Sequence, residues 1–367
     1  MGELQRPDPR SSGVELLRLV AVVMIVFSHS MPWTTGAPSG HLMNLGLATK
    51  SLQRLMIVFY QYGGQLGNAF FVVSSAWFLV GSRKVRLSKV LSIIADSFLI
   101  STLFLAAFLL SGYPLSTQNA LAQFFPLIHG ANWFIVCYLM FYCIHPALNW
   151  ILEKLDRRAL GVLSVILLVM YGVIGPVFSS FYYNRFLCFV SVFFPVAYGK
   201  LYLPEALHRR KQCVLLHLAA WMLLIGGILT VNFLALHVEF FQGKVTLGNT
   251  FNNPVILLIA MTAMLLSLRA GFSCKAVGYL SGLSMLVYII HANRLVMDCL
   301  RHDFFRYVHG TYGYRQQFFW VTGFAAALLI FGFALAILYR HTLQPPLHRL
   351  CGRLATWIGK KWQQTGK

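Results

Sequence analysis

Acidic side chains are scarce: ten Asp and Glu stand against thirty Lys and Arg in 367 residues, and charged residues of both signs make up 11% of the chain. A soluble domain is closer to a quarter charged, because water has to be met by a charged surface. With 58% of residues hydrophobic, lipid is the natural solvent. Cysteine is also sparse. The seven (Cys137, Cys143, Cys188, Cys213, Cys274, Cys299 and Cys351) are odd in number and form no CxxC pair, which excludes a disulfide framework or a cysteine metal site. The twelve histidines contain no HExxH spacing, so no metal centre is expected. Low-complexity tracts and fixed-period repeats are absent. No polar block is large enough to form a separate domain.

What is present is a succession of apolar runs. Runs long enough to cross about 30 Å of hydrocarbon predict helices near 13–32, 57–81, 90–111, 133–152, 158–178, 185–203, 213–236, 252–269, 276–298 and 317–339. The fold class is therefore all-α: a polytopic membrane bundle of about ten helices. Its organisation is a short N-terminal segment (1–12), a membrane domain (13–339) and a basic tail (340–367). Linkers near 34–56, 112–132, 237–251 and 299–316 read as outward loops. Outward segments hold Lys50, Arg54, Lys244, Arg301, Arg306 and Arg315, while most other basic residues fall in the alternate linkers and the tail. By the positive-inside rule both termini are cytoplasmic. The same distribution removes nucleic acid as a partner, despite the net charge of +20. A cleavable signal peptide is disfavoured, since Glu15 and Arg18 interrupt the first run and no small-x-small site follows it.

Three places carry charge where lipid disfavours it. In the first helix Arg18 and His29 are eleven residues apart, about three turns and about 16 Å along one face. Glu15 is placed to neutralise Arg18. Two readings fit: interfacial snorkelling with a structural histidine, or a functional face on which His29 takes a proton from a hydroxyl. The linker Gly81-Ser-Arg-Lys-Val-Arg86 either sets topology and touches anionic lipid, or grips phosphate through the guanidinium forks of Arg83 and Arg86. In the ninth helix His291 and Arg294 stand three residues apart.

These residues resemble the membrane acyltransferase-3 superfamily, in particular members that acetylate bacterial cell-surface or exopolysaccharides. The first-helix stretch from Arg10 to His29, with a basic residue, ten intervening residues and a histidine (Arg18 to His29), is the most specific match. Asn68 to Leu79 resembles the second-helix pattern and runs into Arg83-x-x-Arg86. Asn132-Trp133-Phe134 with Tyr138, Tyr142, Pro146 and Asn149 resembles the fourth helix, and Tyr288-x-x-His291 a later segment. Two positions depart from the pattern, Ser75 for a glycine and Ala292 for an acid. The resemblance spans roughly 10–340.

It implies transfer of an acyl group, most simply acetyl from acetyl-CoA, to a sugar hydroxyl of an envelope polysaccharide or lipid-linked glycan in a bacterial inner membrane. No tightly bound cofactor is implied. The partners are the acyl-CoA donor, the glycan and membrane lipids. His29 would be the general base, with Arg18 and Glu15 beside it in the catalytic set. Arg83 and Arg86 would hold coenzyme A phosphates, and His291, Arg294 and Trp133 would line the acceptor side. The chief alternative is a secondary transporter or flippase for a glycan or small solute, which shares the helix count and the buried ionisable groups. A catalytically silent sensor or scaffold is a third.

Overall fold

The computed structural model describes residues 12–30, 52–128, 132–178, 184–241 and 246–365. Arg10, Trp33, Lys50, Tyr182, Tyr183 and Lys244 lie outside them. The described residues are all-helical: α1 (Ser12–Ser30), α2 (Leu52–Leu79), α3 (Leu87–Leu110), α4 (Thr117–Phe124), α5 (Trp133–Leu152), α6 (Arg157–Val177), α7 (Arg185–Leu201), α8 (Arg210–His237), α9 (Pro254–Leu268), α10 (Lys275–Ser281), α11 (Ser284–His291), α12 (Arg301–Thr311), α13 (Tyr314–Thr342) and α14 (Gln344–Thr365). Side-chain caps start several of them. Asp156 accepts from Ala159 N at 2.7 Å, Asn184 from the amides of Phe186 and Leu187, and Asn253 from Val255 N with Pro254 in the first turn.

Among the described residues, six helices are long and apolar enough to cross a membrane: α1, α3, α5, α6, α8 and α13. A bent pair, Lys275–His291 with Leu295–Val308, makes a seventh if it is counted as one span. Of the remaining predicted spans, α7 and α9 are 17 and 15 residues long. α2 is long enough, but Gln61, Gln65 and Asn68 lower its hydropathy.

Three sequence expectations are corrected. The predicted straight helix over 276–298 is broken after Ala292 and bends by 66°. Buried Asn293 causes this: its side-chain oxygen accepts from Leu295 N at 2.9 Å, and its amide nitrogen donates to Gln123 Oε1 at 2.9 Å and Ser101 Oγ at 3.3 Å. A side chain that bonds its own backbone two residues ahead competes with the helical ladder. The expected outward loop over 299–316 contains α12, whose Phe305 and Val308 are buried. The 112–132 linker contains α4, capped by Ser116 and carrying buried Ala122 and Gln123. In both places a short helix with few buried residues reads as a polar loop by hydropathy. The tail also holds a structure that charge alone does not announce: α14 packs along α3.

α1 is the centre of the bundle. Its most extensive neighbour is α2, and it also packs on α9, α10, α11 and α13. Glycines permit the closest approach. A Cβ on Gly67 would stand 2.7 Å from Ala21 O and 2.9 Å from Ile25 Cγ1, and one on Gly64 would stand 2.2 Å from Ser28 Oγ. Small residues are the usual means by which membrane helices come together, because lipid gives no hydrophobic drive to associate. The N-terminus of α1 is tied to the segment before α10 by Cys274 N donating to Ser12 Oγ at 2.8 Å and Ser12 N to Phe272 O at 3.2 Å. Around Phe189 the rings of Phe134, Phe141 and Phe251 pack with centroids 5.3, 5.9 and 5.3 Å away.

Gly67→Val is expected to lower the detergent-phase melting temperature by the equivalent of about 1–3 kcal/mol of overpacking. Gly63→Ala, whose Cβ meets nothing nearer than Met24 Cε at 3.8 Å, should leave it unchanged or raise it. Equal melting of both variants would remove the α1–α2 approach as a determinant of the fold.

Candidate functional site

His29 lies in the last turn of α1 and His291 in the last turn of α11, just before the break, and the two rings meet. His29 Nδ1 is 3.0 Å from His291 Nε2, and the rings are stacked at 5.2 Å. His291 is fully buried and its Nδ1 is 3.0 Å from Val287 O. These contacts assign the protons. A carbonyl only accepts, so His291 Nδ1 carries a hydrogen and, in the neutral ring, Nε2 carries a lone pair. His29 Nδ1 must then be the donor between the rings. His29 Nε2 is left with a lone pair, and among the described residues it has no hydrogen-bond partner. The arrangement is that of a base oriented by a second group.

Two further groups complete this layer. Tyr288 packs edge-on to His291 at 5.2 Å. Arg301, which the sequence places in an outward loop, is 2% exposed and donates from Nη1 to the carbonyl oxygen of His29. A cation at the C-terminal end of α1 complements the helix dipole. Helical periodicity running on from Leu295 and Val296 to Cys299, Phe305 and Val308, all buried, is the signal that would have marked 295–311 as helix and Arg301 as inward.

The other expected residues are distributed around this pair. Arg18 is half-buried toward α2, its Nε donating to Ser74 Oγ at 3.4 Å and its guanidinium 5.8 Å from the Phe78 ring. Glu15 does not form an ion pair with Arg18; its carboxylate lies over Gly278, where a Cβ would be 2.9 Å from Oε2. Trp133 starts α5 and stacks under Arg185 at 4.7 Å. It reaches His291 through Phe134, 5.6 Å away, and Tyr288, 5.4 Å from Phe134. Arg185 gave no sequence signal as a partner for Trp133. Arg294 lies beyond the helix break, beside Asn293 and Gln123 in a small cavity, so it does not share a continuous face with His291.

Arg83 and Arg86 belong to a second locus, an open cleft of about 580 Å³ where Lys84, Lys89 and Tyr142 join them. Its loop is held from three sides. Gly81, at φ +85°, ends α2 in the left-handed region. Buried Asn149 of α5 accepts from Gly81 N at 2.7 Å and donates to Leu79 O and Ser82 O, both at 2.9 Å. Lys200 of α7 donates to Trp77 O in the last turn of α2 at 2.7 Å and to Val80 O just beyond it at 3.0 Å. Tyr142 OH accepts from Arg86 N at 3.2 Å, and the Lys89 ammonium stands 4.5 Å over the same ring. Arg83 pairs with Glu153, and its hydrogen bond, more than its charge, holds that carboxyl below the usual carboxylate range. Both side chains are exposed, so a bound anion competes with a screened pair. Four cations and a Glu153 that occupies only Arg83 leave a cleft suited to phosphate oxygens.

The acyltransferase domain of the acyltransferase 3 family matches residues 11–341, nearly the whole chain. No curated protein and no solved structure matches it.

Asn149→Leu keeps the branched shape of the side chain and removes the amide that joins Leu79, Gly81 and Ser82. Limited trypsin digestion in detergent is expected to cut at Arg83, Lys84 or Arg86 several-fold faster than in wild type. Unchanged cutting would mean that the loop is held without Asn149.

Proposed function

The chain belongs to the acyltransferase 3 family and is a membrane acyltransferase; from that premise we propose that it moves acetyl from acetyl-CoA to a sugar hydroxyl of an envelope polysaccharide or lipid-linked glycan. The observation that carries the proposal is the His29–His291 contact, which orients His29 with its Nε2 lone pair available as a base beside the buried ring of His291. The acceptor hydroxyl gives its proton to His29 Nε2 as its oxygen attacks the thioester carbonyl. The tetrahedral intermediate collapses with loss of the carbon–sulfur bond, and the departing thiolate takes the proton back from His29. Throughout, His291 accepts from His29 Nδ1 and shares the positive charge that appears on the ring. Arg301 is the cation nearest this layer and favours the developing oxyanion.

The basic cleft takes the donor's phosphates on Arg83, Arg86 and Lys89. Arg18 lies about three turns from His29, against Ser74 on the face shared with α2. It therefore orients the arm of the donor rather than the reacting carbonyl, with the Glu15 carboxylate acting on it through space and not as an ion pair. Trp133 with Arg185, and Arg294 beyond the break, border the acceptor side. Supporting this direction of travel, the ends that carry the basic linkers are joined to one another. Arg83 meets Glu153 at the end of α5, Lys200 meets the end of α2, Arg269 donates to Leu207 O at 2.7 Å, and the start of α1 meets the start of α10. We read this as ten alternating spans with both termini in the cytoplasm of a bacterial inner membrane, the donor entering from that side and the acceptor from the other.

Membranes holding the wild-type protein should transfer radiolabelled acetyl from acetyl-CoA into glycan. His29→Ala should lower kcat by about 10²–10⁴, and His291→Ala by less. Arg83→Ala/Arg86→Ala should raise KM for acetyl-CoA more than it lowers kcat. Incorporation equal to that of protein-free membranes would overturn the donor or acceptor assignment and favour a transporter. Labelling of Lys84→Cys from the external face would reverse the orientation.

A further inference from the structure

A narrow apolar slot runs between α3 and α13, with a volume of about 310 Å³. On α13 it is lined by Phe331, Leu335, Leu338 and Thr342, four positions on one face that cover about 16 Å. Ala107 lines it from α3, Ile290 from α11, and Leu343 where α13 gives way to α14. The slot has the length and the lining of a site for one extended hydrocarbon chain rather than for a compact polar ligand.

At Leu343 the slot meets a helix of a different character. From residue 340 to the C-terminus there are six Lys and Arg and no Asp or Glu. Leu343, Leu350, Leu354 and Trp357, at intervals of seven, four and three residues, are all exposed. They form an apolar edge next to the side that packs on α3, where Leu347 and Cys351 lie. Exposed Arg349 and Arg353 are displaced from that edge by about 100° or less, at about 100° per residue. This is the pattern of a helix lying in a headgroup layer, with apolar residues dipping into acyl chains and cations held at phosphate depth.

α14 is also held against α3 with little freedom. Asp96, 5% exposed in the middle of α3, receives Tyr339 OH at 2.8 Å, His348 Nε2 at 3.0 Å and Gln344 Nε2 at 3.2 Å. The three partners come from the end of α13 and the first two turns of α14, so they fix the junction at which slot and basic helix meet.

We propose that this junction is a binding site for one anionic phospholipid, with a hydrocarbon chain in the slot and the headgroup phosphate on Arg349 and Arg353. The inference does not rest on acyl transfer. An uncharged or zwitterionic lipid would satisfy the slot alone. The acid-free helix beside it selects for net negative charge.

The test is retention of phosphatidylglycerol against phosphatidylcholine by the full-length protein purified in detergent, read by native mass spectrometry. Wild type should retain phosphatidylglycerol preferentially. Arg349→Gln/Arg353→Gln should lower that retention by about tenfold, and Arg349→Lys/Arg353→Lys should restore most of it. Ala107 is exposed, so Ala107→Trp fills the slot without entering the core and should also abolish retention. Unchanged melting and gel-filtration behaviour would show that the variants are folded. Equal retention of the two lipids by wild type, or phosphatidylglycerol retention untouched by both substitutions, would overturn the site. So would displacement of the lipid by a polyprenyl phosphate at lower concentration, which would assign the slot to an acceptor carrier instead.

Discussion

Inside hydrocarbon there is no water to bond a polar side chain, and this bundle is organised by where its polar groups find protein partners. His29 finds His291, Arg18 finds Ser74, Asn149 finds three backbone groups at the end of α2, Asp96 finds three donors from α13 and α14, and Asn293 bridges α3 and α4. Each contact joins elements distant in sequence. Each also fixes a feature that apolar packing by itself leaves open, such as the break after α11 or the seating of α14. Apolar side chains supply most of the buried surface, but lipid tails would accept them in many registers. The polar pairs reduce that freedom to one arrangement.

One consequence is a separation of tasks along α1 and α2. These helices approach closely over Gly64 and Gly67, so the face that carries Arg18 and His29 is pressed into the bundle rather than turned to lipid. At one end of the pair, α5 and α7 immobilise a loop whose cations face an open cleft. At the other end the imidazole pair is closed off by Tyr288 and Arg301. Under the proposed acyl transfer a charged donor binds in the open cationic cleft, while the acceptor hydroxyl meets His29 among packed side chains with Arg301 beside them. The bundle provides these two places at opposite ends of two helices.

Much of the site is legible along the chain. The Arg18 and His29 spacing places both on one helical face, and α5 is predicted over 133–152 and found over Trp133–Leu152. Arg83 and Arg86 are marked by charge at the end of an apolar run. Legibility ends where a residue's role depends on a partner far away in sequence. Arg301 reads as a loop cation because twelve polar and aromatic residues around it hide a helix. By spacing Arg294 falls on one face with His291, because nothing local announces that Asn293 will bond forward and stop the helix.

By itself the sequence determined the solvent, the helical class, the family resemblance and the chemical types at the site, because hydropathy, charge placement and helical period are local properties. The tertiary structure decided that His29 and His291 meet at hydrogen-bonding distance, that Glu15 turns to Gly278 rather than to Arg18, and that the basic tail docks through His348 on Asp96. Each of those contacts joins residues more than 250 positions apart. Their partners are selected by how helices pack, which no window of sequence contains.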